Sequence, residues 1–189
     1  MDIDKVLFNY VNHVGEEKRQ RKIGRYWSSE LSGIKKGYNT PETFFSKDDI
    51  EMNGVRMILT GSAFEDMLTK IFENQEVDVS PQEKTTLQIS DGVELVVKPD
   101  YVFPDFIVET KFPFSPIINS KIPVRYEYQL EAEYRAFPEK RVFLGVFSVP
   151  FSVSFIEYIP SKRRWTNIQK MLIKYDKDVR AYAKEHGFT

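Results

Sequence analysis

The chain contains no cysteine among its 189 residues. Without a thiolate, no disulfide, zinc–thiolate site or iron–sulfur cluster can form. Only two histidines are present, His13 and His186, and they lie near opposite ends of the sequence. The sequence therefore offers few residues for a histidine general base or a histidine metal cluster.

Several other signatures are also missing. No apolar run approaches the ~20 residues of a membrane-spanning helix, and there is no glycine-rich phosphate loop or flanked nucleophilic serine. The opening residues, MDIDKVLF, begin with acids and lack a secretory pattern. We therefore expect an intracellular, cytoplasmic protein, and its length predicts a single domain.

What the chain does contain is a predicted hairpin with an unusual set of charges. Residues 92–103 and 106–112 are rich in Val, Ile, Phe and Tyr, as β-strands are. Pro104 and Asp105 lie between them and are typical of a turn.

A two-residue loop at this turn pairs Phe103 with Phe106, and the same register places Asp100 opposite Glu109. Directly opposed residues share one face of the hairpin. Lys111 follows Glu109 by two positions, so we expect it on that face as well. A four-residue loop gives the same register, whereas a three- or five-residue loop would break it.

Two opposed carboxylates are destabilising unless a cation lies between them. Hard oxygen ligands of this kind suit Mg²⁺ bound beside a phosphate, and adjacent acids followed by lysine favour phosphodiester chemistry over glycoside hydrolysis. The alternative is a solvated hairpin face on which Lys111 merely offsets the acids. In either case Val108 and Thr110 are predicted to face the opposite side.

The segment Pro99-Asp100…Glu109-Thr110-Lys111 resembles the signature of the PD-(D/E)xK nuclease superfamily. Further segments are similar to its RecB-like exonuclease branch, which includes CRISPR-associated RecB-like nucleases. These segments are Tyr26-Trp-Ser-Ser-Glu-Leu31, Gly61-Ser-Ala-Phe-Glu65 and Tyr128-Gln-Leu-Glu-Ala-Glu-Tyr134.

The resemblance implies a Mg²⁺- or Mn²⁺-dependent nuclease that hydrolyses DNA, acting as an endonuclease or an exonuclease. It implies four metal ligands, namely Glu65, Asp100, Glu109 and the Thr110 carbonyl. It also implies that Lys111 positions water or stabilises charge on the phosphate, and that Gln129 orients Lys111 or the DNA backbone. Nucleases of this superfamily often work as dimers or rings, so a homodimer is the expected assembly, in repair, recombination, defence or viral genome processing.

The sequence departs from this branch in two respects. The branch often carries cysteines for an iron–sulfur cluster, which are absent here. In the branch, the helix after the triad carries Gln-x-x-x-Tyr, with tyrosine four residues after glutamine, whereas here Glu133 occupies that position and Tyr134 is the fifth residue after Gln129. We place Gln129 and Glu133 on the border of the apolar stripe of one helix.

The alternative function is a non-catalytic nucleic-acid-binding or assembly protein on the same scaffold.

Glu65 has two interpretations. Apolar residues after Phe64 repeat at helical spacing, and Glu65 lies at the edge of that stripe, where a ligand can reach a cleft. Ser62-x-x-Glu65 is also a capping box, in which Glu65 bonds back to the helix start.

The predicted element order is helix, helix, three strands, helix, two strands, helix. This order gives an α/β fold with a mixed central β-sheet flanked by helices, and the resemblance implies a restriction-endonuclease-like core. We divide the single domain into an N-terminal helical region (1–60), a catalytic core (61–160) and a C-terminal helix (161–189).

Charge is unevenly distributed although the formal net charge is only −1. A nuclease needs a local basic rim for phosphates rather than a basic total. Each cluster is equally explained as a solvated surface. The clusters comprise Lys18, Arg19, Arg21, Lys22, Arg25, Lys35 and Lys36 near the start, and Lys162, Arg163 and Arg164 before the last helix.

Overall fold

The computed structural model describes residues 2–14, 21–46, 51–113, 121–148 and 152–188. Lys18 and Arg19 of the predicted basic cluster lie outside these residues. The chain forms two compact units, one of Met1–Gln20 with Ser46–Val77 and one of Arg21–Phe45 with Asp78–Thr189.

The helices in the described residues are α1 (Ile3–Asn9), α2 (Leu31–Lys36), α3 (Pro41–Phe45), α4 (Met52–Asn74), α5 (Val124–Ala136) and α6 (Lys162–His186). A π-helical turn, Tyr10–Val14, follows α1, and a 3₁₀ turn, Ser28–Glu30, precedes α2. The strands are β1 (Arg25–Trp27), β2 (Ser80–Pro81), β3 (Thr85–Ser90), β4 (Val93–Val97), β5 (Tyr101–Val102), β6 (Phe106–Lys111), β7 (Arg141–Ser148) and β8 (Ser152–Glu157).

The first unit contains α1 and α4. Asp2 caps α1 by accepting a hydrogen bond from the Lys5 backbone N–H at 3.2 Å. Asp4 pairs with Arg56 of α4 at 3.1 Å. Helix α4 begins ten residues before Ser62, so the capping-box interpretation of Glu65 is wrong, because Ser62 lies inside the helix rather than at its start.

The second unit contains two sheets. One has the strand order β1-β4-β3, and the other has the order β2-β5-β6-β7-β8. Both sheets are mixed, because β1 runs parallel to β4 and β6 runs parallel to β7, while the remaining pairs are antiparallel. The predicted α/β class with helices flanking mixed strands is confirmed.

The predicted strand over residues 92–103 is in fact divided between the two sheets. Its first half is β4, its second half is β5, and Lys98-Pro99-Asp100 connects them. Proline lacks a backbone N–H and cannot continue an interior ladder. The single central sheet that we predicted is therefore two sheets.

Helix α5 packs on both sheets and is buried on almost all sides over its second half. Tyr128 and Ala132 belong to a core cluster with the β1-β4-β3 sheet and α6. Leu130 belongs to a second cluster with β6 and β7. A helix that is buried on several faces is an interior element, so its polar side chains need partners.

Helix α6 confirms the predicted C-terminal amphipathic helix. Ile168, Leu172, Tyr175 and Val179 are buried in the first core cluster. Ser161 caps the helix by accepting a hydrogen bond from the Arg164 backbone N–H. Within the described part of the chain, no helix has the length and apolar content needed to cross a membrane.

Candidate active site

The predicted register of the hairpin is confirmed. Tyr101 pairs with Val108 and Val102 with Ile107, and the Phe103 backbone N–H donates to the Phe106 carbonyl at 2.8 Å. Asp100 comes one residue before this ladder and Glu109 one residue after Val108, so the same register, if extended, would oppose them. The last pair of the ladder is Val102 with Ile107, and the Phe103–Phe106 hydrogen bond lies beyond it. A loop of even length at this turn keeps the predicted register.

Asp100 lies just before β5, where the chain passes from one sheet to the other. Its Oδ2 atom accepts two hydrogen bonds from Thr110, one from the backbone N–H and one from Oγ1, both at 2.7 Å. The prediction that Thr110 faces away from the acids is wrong for its hydroxyl. Because Asp100 is outside the ladder, strand alternation does not restrict where its side chain points.

Glu109 and Lys111 lie on β6 and form an ion pair through Glu109 Oε1 and Lys111 Nζ. Glu109 is almost fully buried, and its second oxygen, Oε2, has no hydrogen-bond partner among the described residues. A buried carboxylate oxygen without a partner is costly. This oxygen is the first indication that the site is built to hold something further.

Glu133 reaches the same place from α5. It is fully buried, and neither of its carboxylate oxygens has a hydrogen-bond partner among the described residues. Burial, followed by the charges of Glu109 and Asp100, raises the pKa of Glu133 well above its usual range, and Lys111 opposes this rise. A proton on Glu133 would allow a hydrogen bond to Glu109.

Lys111 remains an ammonium group in this environment. Burial alone would lower its pKa, but the neighbouring carboxylates, Glu109 first and then Asp100, raise it above its ordinary value. Its Nζ lies 5.7 Å from the centre of the Tyr126 ring, and Arg125 covers the same ring at 4.7 Å. The site therefore presents a fixed positive charge beside an acidic group.

The donor chemistry fits a hard divalent cation. Asp100, Glu109 and Glu133 offer carboxylate oxygens, which Mg²⁺ and Mn²⁺ prefer, and three of these oxygens are buried and unpartnered. Across the described residues, no group of three or more His, Cys, Asp or Glu side chains is arranged so that it could hold a metal ion. The evidence that the site suits a divalent cation is therefore the unpartnered carboxylate oxygens of Glu109 and Glu133.

The remaining predicted site residues lie on two helices. Gln129 is half-buried on α5, one turn before Glu133. Glu65 is half-buried in the interior of α4, in the first unit. Tyr134 packs against the second core cluster. The roles of Gln129, Glu65 and Tyr134 stay predictions.

Glu133 was predicted to lie at the border of the apolar stripe of α5. It is instead completely buried, which is the main difference between the predicted and the observed site. The signal available in the sequence was its spacing, four residues after Gln129 on a helix with apolar neighbours. What the spacing could not reveal is that both sheets cover this helix.

Part of the predicted basic rim is already engaged within the protein. Arg164 pairs with Glu127 at 2.8 Å and donates to the Tyr158 hydroxyl at 2.6 Å. Arg21 donates to the Thr43 carbonyl. Lys35 lies over the Tyr128 ring at 4.1 Å, whereas Lys162 and Arg163 are exposed. These pairings favour a structural role for Arg21 and Arg164.

Solved structures resemble this fold at very low sequence identity. The crystal structure of SSO0001 aligns with a TM-score of 0.66 and 13% identity, over 93% of this chain and 85% of that one. An alkaline exonuclease (LHK-Exo) from Laribacter hongkongensis aligns with a TM-score of 0.64 and 11% identity, over 87% and 92%. LHK-Exo in complex with dAMP aligns with a TM-score of 0.61 and 10% identity, over 87% and 94%.

No protein-family model and no curated protein matches the sequence. At these identities the structural likeness shows the fold alone, which is shared with an alkaline exonuclease.

Proposed function

We propose that this protein is a Mg²⁺- or Mn²⁺-dependent deoxyribonuclease that hydrolyses DNA phosphodiester bonds. The observation that carries the proposal is the convergence of Asp100, Glu109 and Lys111 at the β5–β6 hairpin, beside a buried carboxylate on α5. The exonuclease-like fold supports the same class of chemistry, since one of its structural neighbours is an alkaline exonuclease that binds dAMP.

Asp100 and Glu109 are the proposed metal ligands on the hairpin, and Thr110 supplies its carbonyl. When bound, a divalent cation of this type lowers the pKa of water and neutralises charge on a phosphate oxygen.

The residues of the chain have distinct tasks in this proposal. Thr110 holds the Asp100 carboxylate through two hydrogen bonds of 2.7 Å, so that carboxylate is fixed before substrate arrives. Lys111 keeps its proton because of the surrounding acids, so it acts as a cation towards a phosphate oxygen and does not remove protons at neutral pH. Gln129 is proposed to orient Lys111 or the DNA backbone.

The test is cleavage of labelled duplex and single-stranded DNA with Mg²⁺ or Mn²⁺, comparing wild type with Asp100→Asn and Lys111→Ala. We expect both variants to lose at least about 100-fold in rate, because Asp100→Asn removes the charge of a proposed metal ligand and Lys111→Ala removes the cation that acts at the phosphate. Asp178→Asn is the matched control, since Asp178 is half-buried on α6 and pairs with Lys174. Equal cleavage by wild type and both site variants would refute the proposal.

A non-catalytic nucleic-acid-binding or assembly protein is the second candidate. It is favoured by the position of Tyr134, which packs in the core instead of following Gln129 at the expected spacing, and by the net charge of −1. DNA affinity that is unchanged by metal removal and by Glu109→Ala, with no cleavage by wild type, would establish it. A homodimer is proposed as the assembly, and sedimentation equilibrium tests it.

A further inference from the structure

Glu133 is the most unusual side chain of the described structure. It lies in the interior of α5, it is fully buried, and both of its oxygens lack hydrogen-bond partners among the described residues. Buried acids are almost always paired or bound to a cation, because desolvation of an isolated carboxylate is very costly. Glu133 therefore needs a hydrogen-bond donor or a cation that the described residues do not supply.

Glu109 also has a buried oxygen without a hydrogen-bond partner. Its Oε1 atom pairs with Lys111, but Oε2 is buried and unpartnered. The electrostatic interaction between Glu133 and Glu109 shows that the two carboxyl groups lie together. Three unpartnered oxygens thus belong to one neighbouring pair of acids.

A single shared proton cannot satisfy all three atoms. It would create one hydrogen bond between the two acids, and one oxygen of Glu133 would remain without a donor. A divalent cation that is bound by both carboxylates satisfies the pair and also removes their mutual repulsion.

We infer that Glu133 is a metal ligand, and that it binds, from α5, the same divalent cation as Glu109. This inference rests on the proposed function, since it adds a ligand from α5 to the same site. Beside Asp100 and Glu109 it gives the site a third carboxylate, and the position of this one depends on the packing of α5 and not on the hairpin turn.

The first test is isothermal titration calorimetry with MnCl₂, comparing wild type, Glu133→Gln and Glu127→Gln. Glutamine keeps the shape of Glu133 but removes its charge, so we expect the Kd for Mn²⁺ to rise at least about tenfold. Glu127 lies on the same helix and pairs with Arg164, so its variant should bind Mn²⁺ as wild type does. An unchanged Kd in Glu133→Gln overturns the inference, and so does the absence of Mn²⁺ binding by wild type.

The second measurement is thermal unfolding with and without MnCl₂. A cation that binds only the folded state raises the melting temperature. We expect Mn²⁺ to raise the Tm of wild type more than that of Glu133→Gln, although the metal-free variant should be at least as stable as metal-free wild type. Equal metal-induced shifts count against the inference.

If Glu133→Gln does not fold, wild type alone decides the question. In a crystal soaked with MnCl₂, an anomalous peak within about 2.5 Å of a Glu133 oxygen supports the inference. A peak that is bound by Glu109 but is distant from Glu133 overturns it.

The outcomes also separate this inference from the proposed function. Cleavage of DNA by wild type together with an unchanged Mn²⁺ affinity in Glu133→Gln rejects only the role of Glu133. Weakened Mn²⁺ binding in that variant without any cleavage by wild type rejects only the nuclease activity.

Discussion

Glu131 and Glu133 lie two residues apart on α5, and both are fully buried, yet their surroundings are opposite. Glu131 accepts hydrogen bonds from the Tyr158 hydroxyl at 2.5 Å and the Ser161 backbone N–H at 2.8 Å, and pairs with Arg135 at 2.7 Å. Neither oxygen of Glu133 has such a donor among the described residues. Because residues two apart on a helix face different directions, one carboxylate stabilises the fold while the other is left available.

This contrast predicts opposite effects of the same substitution. Glu131→Gln should destabilise the protein by about 3 kcal/mol, because it leaves buried donors and Arg135 without their anionic partner. Metal-free Glu133→Gln should be neutral or stabilising, because it removes an unpaired carboxylate from beside Glu109. Urea unfolding in the presence of a chelator measures both. A loss of similar size in the two variants would contradict this assignment.

The hydroxyl of Thr110 is expected to matter for activity more than for folding. Thr110→Val removes one of the two hydrogen bonds to Asp100, at a cost to stability of about 1 kcal/mol. If Asp100 must be held in place to bind metal, DNA cleavage should fall about 10- to 100-fold. Steady-state cleavage assays test this expectation.

Two comparisons control the Thr110 experiment. Thr110→Ser keeps a hydroxyl and should retain most of the activity. Thr166→Val removes a hydroxyl that donates to the Lys162 carbonyl on the exposed face of α6. This variant should cleave DNA as wild type does. Full activity of Thr110→Val would mean that the backbone N–H alone positions Asp100.

Gly145 is expected to tolerate no side chain. It lies in β7 opposite Thr110 of β6, and an added Cβ would lie 2.9 Å from Val108 Cγ1 and 3.2 Å from Phe155 Cε1. Gly145→Ala should therefore cost about 1–3 kcal/mol through overpacking, as measured by urea unfolding.

Gly61 is the matched control for that substitution. It lies inside α4, where an added Cβ meets no described atom within 4 Å. Gly61→Ala should raise stability by up to about 1 kcal/mol, because alanine favours helix more than glycine does. Equal effects of the two substitutions would show that close packing around β7 is not the cause.

Ionisation of the Tyr175 hydroxyl is expected to lower the stability of the protein in alkaline solution. Its hydroxyl donates to the Thr40 carbonyl at 3.2 Å. Burial, with a smaller contribution from Glu30, raises the pKa of Tyr175 to about 12. In the unfolded chain its pKa is about 10. Between these values the unfolded state releases the phenolic proton and the folded state keeps it, so stability falls as pH rises from about 10 to about 12.

The measurement is the free energy of unfolding at several pH values above 9. Tyr175→Phe cannot ionise and should show a shallower decline than wild type over this range. Tyr38→Phe serves as the control, because Tyr38 is exposed and its variant should follow wild type. Indistinguishable slopes for wild type and Tyr175→Phe would exclude this contribution.

Local patterns in the sequence were sufficient for much of the fold. Strand β6 and helix α6 lie close to the predicted ranges 106–112 and 161–189, because hydrophobic spacing and turn residues act over short distances. The β5–β6 register agrees with the even-length loop that was expected at Pro104 and Asp105, since loop length determines which residues face each other across a hairpin.

Other elements depended on contacts between distant parts of the chain. Helix α3 and the early start of α4 were missed, because the weak local patterns of residues 41–60 do not indicate where a helix begins. The division of residues 92–103 between two sheets was also missed. A continuous run of β-formers shows strand propensity but not which neighbour each half pairs with.

The amino-acid sequence by itself determined the chemistry that this protein can offer. It supplies carboxylates and a lysine at hairpin spacing, and the absence of cysteine removes thiolate chemistry altogether. Only the tertiary structure decided which acids meet. Packing of α5 between two sheets buries Glu133 beside Glu109 and satisfies Glu131 instead. The physical reason is that helix and hairpin geometry follow from neighbouring residues, whereas burial and charge coupling arise when segments distant in sequence pack together.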